Sequence, residues 1–221
     1  MSYLNGRNQC VFVDGKYSNN KIVTKGVPQG SILGPILFTV YLLPLYGLLK
    51  SMNIPYHIYA DDVAIFIKFN LSSILDSLWT ADTVFCQIYD LLSTLRLKVN
   101  SNKTQCMVVS NEHKANFPKT LTLNHSKIDV GDHLKILGVT LDSKVSLRQY
   151  VNSVCSSCYH QLRKIQSVRK FLTPTLTKLL ILTFVISRLD YGNAIFVDLP
   201  NYLLNKLQLV QNRSARLIFY V

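Results

Sequence analysis

Two adjacent carboxylates, Asp61 and Asp62, stand between short apolar runs in Ile58-Tyr59-Ala60-Asp61-Asp62-Val63-Ala64-Ile65-Phe66-Ile67. Carboxylate oxygens are hard donors, so two of them converging on one point could hold a divalent cation such as magnesium. Neighbouring residues on a straight strand point to opposite faces, and convergence therefore needs a tight turn. Tyr56, Ile58 and Ala60 before the pair, and Val63, Ile65 and Ile67 after it, repeat with the strand period of two. The segment reads as a β-hairpin with its turn on the Asp pair. Short motifs match by chance, so the tetrapeptide alone also fits a plain hairpin with a solvated acidic turn.

Two other groups carry reactive side chains. Cys155-x-x-Cys158, with His160 nearby, has zinc-ligand types, but one such pair without a second does not make a tetrahedral site. Asp14 precedes Gly15 between Gln9-Cys10-Val11-Phe12-Val13 and Lys21-Ile22-Val23, where Asp-Gly is a hairpin turn; Asp14 is read as that turn residue and not as a catalytic acid.

The elements that would position the acidic hairpin begin with Gly26-Val27-Pro28-Gln29-Gly30-Ser31-Ile32-Leu33-Gly34-Pro35-Ile36-Leu37-Phe38. This is a loop that turns into a helix, with Ser31 as N-cap and Pro35 in the first turn, where a missing N–H removes no intrahelical bond. Leu33, Leu37, Val40, Tyr41, Leu45 and Leu48 share one face at helical spacing, and Pro44 is expected to kink or end the helix. Glycines here allow close backbone approach, and free N–H groups at a helix start suit a phosphate or a polar base edge. Beyond the acidic hairpin, residues 72 to 96 suit a helix in which Leu75, Leu78, Phe85, Ile88, Leu92 and Leu95 recur at three, four or seven, with Trp79 packed there. Gln105 to Val109 reads as a strand, Glu112 to Lys119 as a polar loop, and Leu121–Leu123 with Lys127–Val130 as a hairpin around Asn124-His125-Ser126. Leu147, Val151, Val154, Cys158, Ile165, Val168 and Leu172 then form a helical stripe. Thr173-Pro174 starts a second helix and Pro200 a third, which suggests a small bundle.

The chain has 221 residues and a formal charge of +12. The excess is uneven: residues 1 to 142 hold 13 Lys/Arg against 10 Asp/Glu, and residues 143 to 221 hold 11 against 2. A basic C-terminal third points to a polyanionic partner. No charged residue lies between Lys25 and Lys50, but Pro28, Pro35 and Pro44 with four glycines interrupt that run, and a membrane span is not expected. The N-terminus has no apolar signal core, and five cysteines without a repeated spacing make no disulfide framework. The reading expects an intracellular chain with no membrane partner.

Gly26 to Phe38 together with Tyr59-Ala60-Asp61-Asp62 resembles motifs B (GVPQGSxLGPxLF) and C (YADD) of the reverse transcriptases of LINE-type (non-LTR) retrotransposons. Lys98-Val99-Asn100-Ser101-Asn102-Lys103-Thr104 resembles the family's LNxxKT segment, and Leu134-Lys135-Ile136-Leu137-Gly138-Val139-Thr140-Leu141-Asp142 its LGVxxD segment. Ser187–Ala194 resembles SRLDYxNA, and Leu207–Leu217 resembles LQxVQNxxARL. Six ordered blocks thus run through nearly the whole chain.

The resemblance implies an α+β fold: a partial polymerase right-hand palm, an antiparallel sheet with helices, followed by an α-helical thumb. It implies a remnant hairpin over 1–25, a palm with motifs B to E over 26–142, and a basic helical thumb with its extension over 143–221. The implied activity is RNA-directed DNA polymerisation, in which two Mg2+ (or Mn2+) ions serve attack of a primer 3′ hydroxyl on a deoxynucleoside triphosphate. RNA template, DNA primer duplex and deoxynucleoside triphosphates are the implied partners. Asp61 would be the principal metal ligand and Asp62 the weaker one. Tyr59 and Ala60 would lie near the primer end, and Gly26, Pro28, Gln29, Gly30 and Ser31 would line the nucleotide and template pocket. Lys103 would stand near the pyrophosphate as a proton donor or a counter-charge. Leu137 and Gly138 would form the primer grip, and Arg163, Lys164, Arg169 and Lys170 would face nucleic-acid phosphates. Tyr159, Phe171 and Tyr191 are read as core residues in preference to base-stacking ones. The pattern departs from the family in one place. Motif A, a strand with another metal-binding Asp, belongs some tens of residues before motif B, but only 25 residues precede Gly26 and their sole acid is Asp14. The expectation is therefore an N-terminally truncated polymerase fragment that is inactive alone, with a non-catalytic nucleic-acid-binding remnant or an inert relic as the alternatives.

Overall fold

The computed structural model describes residues 3–69, 73–110 and 117–219. Most of the polar loop predicted over Glu112 to Lys119 lies outside the described residues. The fold is mixed α+β, and the chain divides into two compact units, Met1–Val99 and Asn100–Val221.

The first unit begins with two nested strand pairs. β1 (Arg7–Gln9) pairs antiparallel with β4 (Lys21–Val23), and β2 (Phe12–Val13) pairs with β3 (Lys16–Tyr17). Asp14 and Gly15, both at positive φ, close the inner pair, as the Asp-Gly dipeptide requires of a primed two-residue turn. Helix α1 (Gly34–Tyr41) and helix α2 (Leu43–Ser51) follow, each with a proline in its first turn. The break predicted at Pro44 therefore exists. Leu42 lies between the helices, and its N–H is shared by the carbonyls of Phe38 and Thr39. As one stretch Gly34–Ser51 is apolar enough to cross a membrane by length and composition, yet it folds as helices of 8 and 9 residues.

That break also changes which face is buried. Leu42, Leu45 and Leu49 pack with Val84 and Ile88, while Leu33, Val40 and Tyr41 are exposed. A stripe drawn through both helices as one cylinder loses its phase when the axis is interrupted at Leu42, so the buried row starts there. α3 (Ile74–Thr94) provides the opposing surface with Val84, Phe85 and Ile88 buried. Its first turns do not follow the predicted stripe: Leu75 is exposed and Trp79 is 72% exposed, so Trp79 is not a core residue. It lies outside the part of α3 that packs in this cluster, which runs from Val84 to Leu92. The hairpin of β5 (Tyr56–Tyr59) and β6 (Asp62–Ile65) lays Tyr56, Ile58 and Ile65 against the same cluster. Leu45 and Leu49 are fully buried in it, each worth about 1.5–3 kcal/mol.

In the second unit, the strand predicted over Gln105 to Val109 is shorter. β7 (Cys106–Met107) pairs parallel with β9 (Ser126–Gly131), which pairs antiparallel with β8 (Thr120–Leu123). Asn124 and His125, at positive φ, make the β8–β9 turn. β10 (His133–Ile136) and β11 (Val139–Asp142) form a further hairpin. A single antiparallel sheet is not what the described strands build. They form five small sheets, four of them two-stranded, because each hairpin closes on itself. The acidic hairpin is one of these, and its outer edges are unpaired among the described strands.

The helical part contains α4 (Arg148–Val168), α5 (Pro174–Ile181), which continues through a π turn into α6 (Ser187–Asp190), and α7 (Asn201–Phe219). Thr173 caps α5 by accepting from the Leu176 N–H at 3.2 Å, and Pro200 directly precedes α7. Val151, Cys158, Val185, Leu203 and Val210 lie at the centre of this core, and Val139 and Leu141 of β11 pack against it. Of the predicted α4 stripe, Val168 is exposed, and Leu162 is buried in addition.

Candidate functional site

The register of the acidic hairpin pairs Tyr59 with Asp62, which leaves Ala60 and Asp61 as a two-residue turn. The turn thus falls one residue earlier than the Asp pair. Ala60 takes φ +51, the left-handed backbone that the first position of a primed turn demands; its small side chain limits the strain. Asp62 opens β6 directly opposite Tyr59, on the face away from Tyr56 and Ile58, while Asp61 occupies the turn itself. Both carboxylates are exposed, and Tyr59 is 68% exposed. The apolar face of the hairpin is held by α2 and α3, so its acidic tip is presented to solvent on a fixed base.

These oxygens suit a hard cation in kind but not in number. No group of three or more His, Cys, Asp or Glu side chains is gathered among the described residues, and a pair of catalytic ions needs more ligands than two carboxylates provide. Cys155 and Cys158 do not add a metal site. Both are buried, Cys158 directs its thiol to the Val185 carbonyl at 3.7 Å, and burial pushes that thiol up to about 11. His160 is exposed.

The Gly/Pro loop is built differently from its predicted capping scheme. Ser31 does not cap α1: the position before the helix is Leu33, in helical backbone and without a side-chain cap. Ser31 Oγ instead donates to the Pro28 carbonyl at 2.7 Å and meets the Tyr3 hydroxyl. Gly34 is buried beneath it, where a Cβ would lie 2.9 Å from Ser31 Oγ. Gly26 and Gly30 take positive φ, and the loop from Gly26 through Gly30, with Pro28 and Gln29, is exposed.

The remaining candidate residues belong to the second unit. Lys103 is exposed, with its N–H bonded to the Asn100 carbonyl in a turn. Ser101, Asn102 and Thr104 beside it line an open polar depression of about 330 Å³ with Lys127, Asp129 and His133. Leu137 and Gly138, at φ +47 and +84, form the two-residue turn of β10–β11. Arg163, Lys164 and Lys170 are exposed, and the Lys170 ammonium sits 4.9 Å from the centre of the Phe171 ring. Phe171 is 76% exposed and so is not the core residue expected.

Arg169 differs from its three basic neighbours. It is only 5% exposed, and its guanidinium donates to the carbonyls of Leu217, Ile218 and Leu172 at 2.9, 3.1 and 2.8 Å. Two of those carbonyls lie in the last turn of α7, which has no intrahelical donors left for them. The planar fork of Arg spans them as a point-like ammonium cannot. Sequence alone grouped Arg169 with surface cations because Arg and Lys alternate along that segment.

Three further contacts were not legible in the sequence. Tyr191 Oη donates to the Leu137 carbonyl at 2.6 Å. Lys206 and Arg213 of α7 donate to Asn152 and Gln166 of α4 at 2.7 and 2.9 Å. The only available signal was that Tyr191-Gly192 and Arg213 fall inside the two C-terminal blocks.

An exposed two-carboxylate hairpin behind a Gly/Pro-rich helix entry, in an α+β chain with a basic helical end, has the make-up of a nucleotidyl-transfer polymerase. The chain belongs to the reverse transcriptase (RNA-dependent DNA polymerase) family, whose model matches residues 2–141. It is 27% identical over 98% of its length to the "Probable RNA-directed DNA polymerase from transposon BS" of Drosophila melanogaster, covering 25% of that protein. Over its full length it is 26% identical to the "Retrovirus-related Pol polyprotein from type-1 retrotransposable element R1" of Bradysia coprophila, covering 22% of it. Over 69% of its length it is 28% identical to the "RNA-directed DNA polymerase from mobile element jockey" of Drosophila melanogaster, covering 17% of it. The chain therefore spans a quarter or less of the length of these curated relatives. No solved structure matches it.

Proposed function

We propose that this chain is the palm-to-thumb portion of an RNA-directed DNA polymerase of a LINE-type retrotransposon, and that by itself it binds primer–template nucleic acid without extending it. The observation that carries the reading is the acidic hairpin: Asp61 and Asp62 exposed at the tip, held from behind by α2 and α3, within the segment that matches the family. In the complete family site, two Mg2+ or Mn2+ ions activate the primer 3′ hydroxyl and neutralise the leaving pyrophosphate. Asp61 and Asp62 are the residues here that would contribute to holding them. No step is assigned to this chain, since a third ligand is not gathered beside them among the described residues.

In this reading Tyr59 and Ala60 flank the primer end, and Gly26, Pro28, Gln29, Gly30 and Ser31 border the incoming deoxynucleoside triphosphate and template base. Lys103 offsets pyrophosphate charge. The Leu137–Gly138 turn grips the primer. Arg163, Lys164 and Lys170 contact phosphates of the RNA–DNA duplex, and Arg169 is left out because its guanidinium is occupied within the fold. A non-catalytic binding role is the second reading, favoured by 11 Lys/Arg against 2 Asp/Glu from residue 143 onward.

Primer extension with magnesium or manganese, run beside a salt titration of binding to an RNA–DNA primer–template, tests both readings. Binding that weakens steeply with salt and yields no extended product is expected. Extension that disappears on Asp61→Ala would show that the chain is a working polymerase, and absence of binding at low salt would remove the nucleic-acid role.

A further inference from the structure

The β10–β11 hairpin is a two-stranded sheet, a form that is marginal by itself. Its tip is nevertheless tied down. The Tyr191 hydroxyl donates to the Leu137 carbonyl at 2.6 Å, and the Tyr150 hydroxyl donates to the Tyr191 carbonyl at 3.2 Å. Two glycines in this region answer to the backbone and not to crowding. Gly138 is at φ +84 and Gly192 at φ +70, where an L side chain is strained, whereas a Cβ added at Gly138 would stand 3.5 Å from Tyr191 Cε1 and one added at Gly192 3.6 Å from Val139 Cγ2, both ordinary contacts. Tyr150 is itself 5% exposed and stacked at a tilt on Phe196, so the far end of the tie is anchored in the helical core.

We infer that Tyr191 is a positioning residue for the Leu137–Gly138 turn: its hydroxyl latches the hairpin tip to the helical core and so fixes where the tip meets a primer strand. The inference rests on the reading of that turn as the primer grip. Tyr191 is 54% exposed, so the ring does not fill the core, and its hydroxyl spans from the end of α6 to a turn 54 residues earlier in the chain. The latch sets the orientation of the tip, and the phosphate contacts of α4 set the affinity for any duplex. A duplex with a recessed primer end senses the tip, and a blunt duplex senses chiefly the basic surface.

Tyr191→Phe keeps the ring and removes only the donor. In the full chain, deuterium uptake across residues 133–142 is expected to rise about five-fold, the size of one lost hydrogen bond. Fluorescence anisotropy is expected to show binding to an RNA–DNA duplex with a recessed 3′ end weakened about five-fold, with blunt-duplex binding unchanged. Tyr202→Phe, on exposed α7 surface, serves as the control and should change neither. Unaltered uptake in Tyr191→Phe would overturn the latch regardless of nucleic acid. Faster uptake with equal losses on both duplexes, or with no loss, would overturn the positioning role. A wild-type chain that binds neither duplex would overturn the primer-grip reading as well, while the uptake result would still report on the latch.

Discussion

Arg169→Ala separates a structural cation from a nucleic-acid-binding one. The wild-type guanidinium makes three charge-assisted bonds to carbonyls at a site only 5% exposed. Hydrogen bonds of this kind contribute about 1.5–3 kcal/mol each when lost singly. Water can reach the end of α7 after truncation and satisfy part of the loss, which places the net cost near 3 kcal/mol. For a helical unit of this size, that corresponds to a fall in Tm of about 10 °C or more. Arg169→Lys keeps the charge but cannot span three carbonyls, and should retain less than half of the stabilisation. Arg163→Ala, on the exposed face of α4, should leave Tm within about 2 °C, since exposed substitutions stay near 0.5 kcal/mol, yet flatten the salt dependence of duplex binding by about one phosphate contact. Thermal unfolding by circular dichroism and anisotropy at several salt concentrations measure both quantities. The reasoning is refuted if Arg169→Ala unfolds at the wild-type temperature while lowering the salt slope as Arg163→Ala does.

Other expectations follow from burial and capping. Cys158 titrates at about 11 in the fold against an ordinary 9.0 because burial disfavours its thiolate. Its contribution to stability is therefore complete below about pH 9 and is lost as the pH climbs toward 11, which denaturant melts across that range would register. At neutral pH a thiol reagent should modify exposed Cys10 and spare Cys155 and Cys158 until the chain is unfolded. Thr173→Ala removes the side-chain cap of α5 and should cost about 1 kcal/mol in urea melts. Ser31→Ala, which caps no helix, should leave the helix content measured by circular dichroism unchanged. Trp79 is the sole tryptophan. Its emission should match that of indole in water and be quenched freely by acrylamide; a blue-shifted, protected signal would contradict its exposed placement.

Local chemistry made much of this protein readable from its residues. Asp14-Gly15 closes a two-residue hairpin because a primed turn needs positive φ, and that dipeptide tolerates it. Pro44 interrupts a helix and Thr173-Pro174 starts one for equally local reasons. The acidic tip was also legible to within one residue, since strand alternation on both sides confines the chain reversal to its neighbourhood. What went astray was the one-residue placement of that turn, the phase of the apolar stripe across Leu42, and the exposure of Trp79, Phe171 and Tyr191, all three read as core residues. Each depends on which surface a neighbouring element covers. Periodicity gives the angular spacing of side chains but not the direction in which the packing partner lies.

By itself, the order of blocks from Gly26-Val27-Pro28-Gln29-Gly30 through Tyr59-Ala60-Asp61-Asp62 determined the family, because that signal resides in residue type and spacing. Tertiary structure alone decided which cations remain free. Arg163 and Arg169 are identical in chemistry and six positions apart, and only the end of α7 arriving beside one of them turns that guanidinium from an exposed cation into a buried donor to carbonyls.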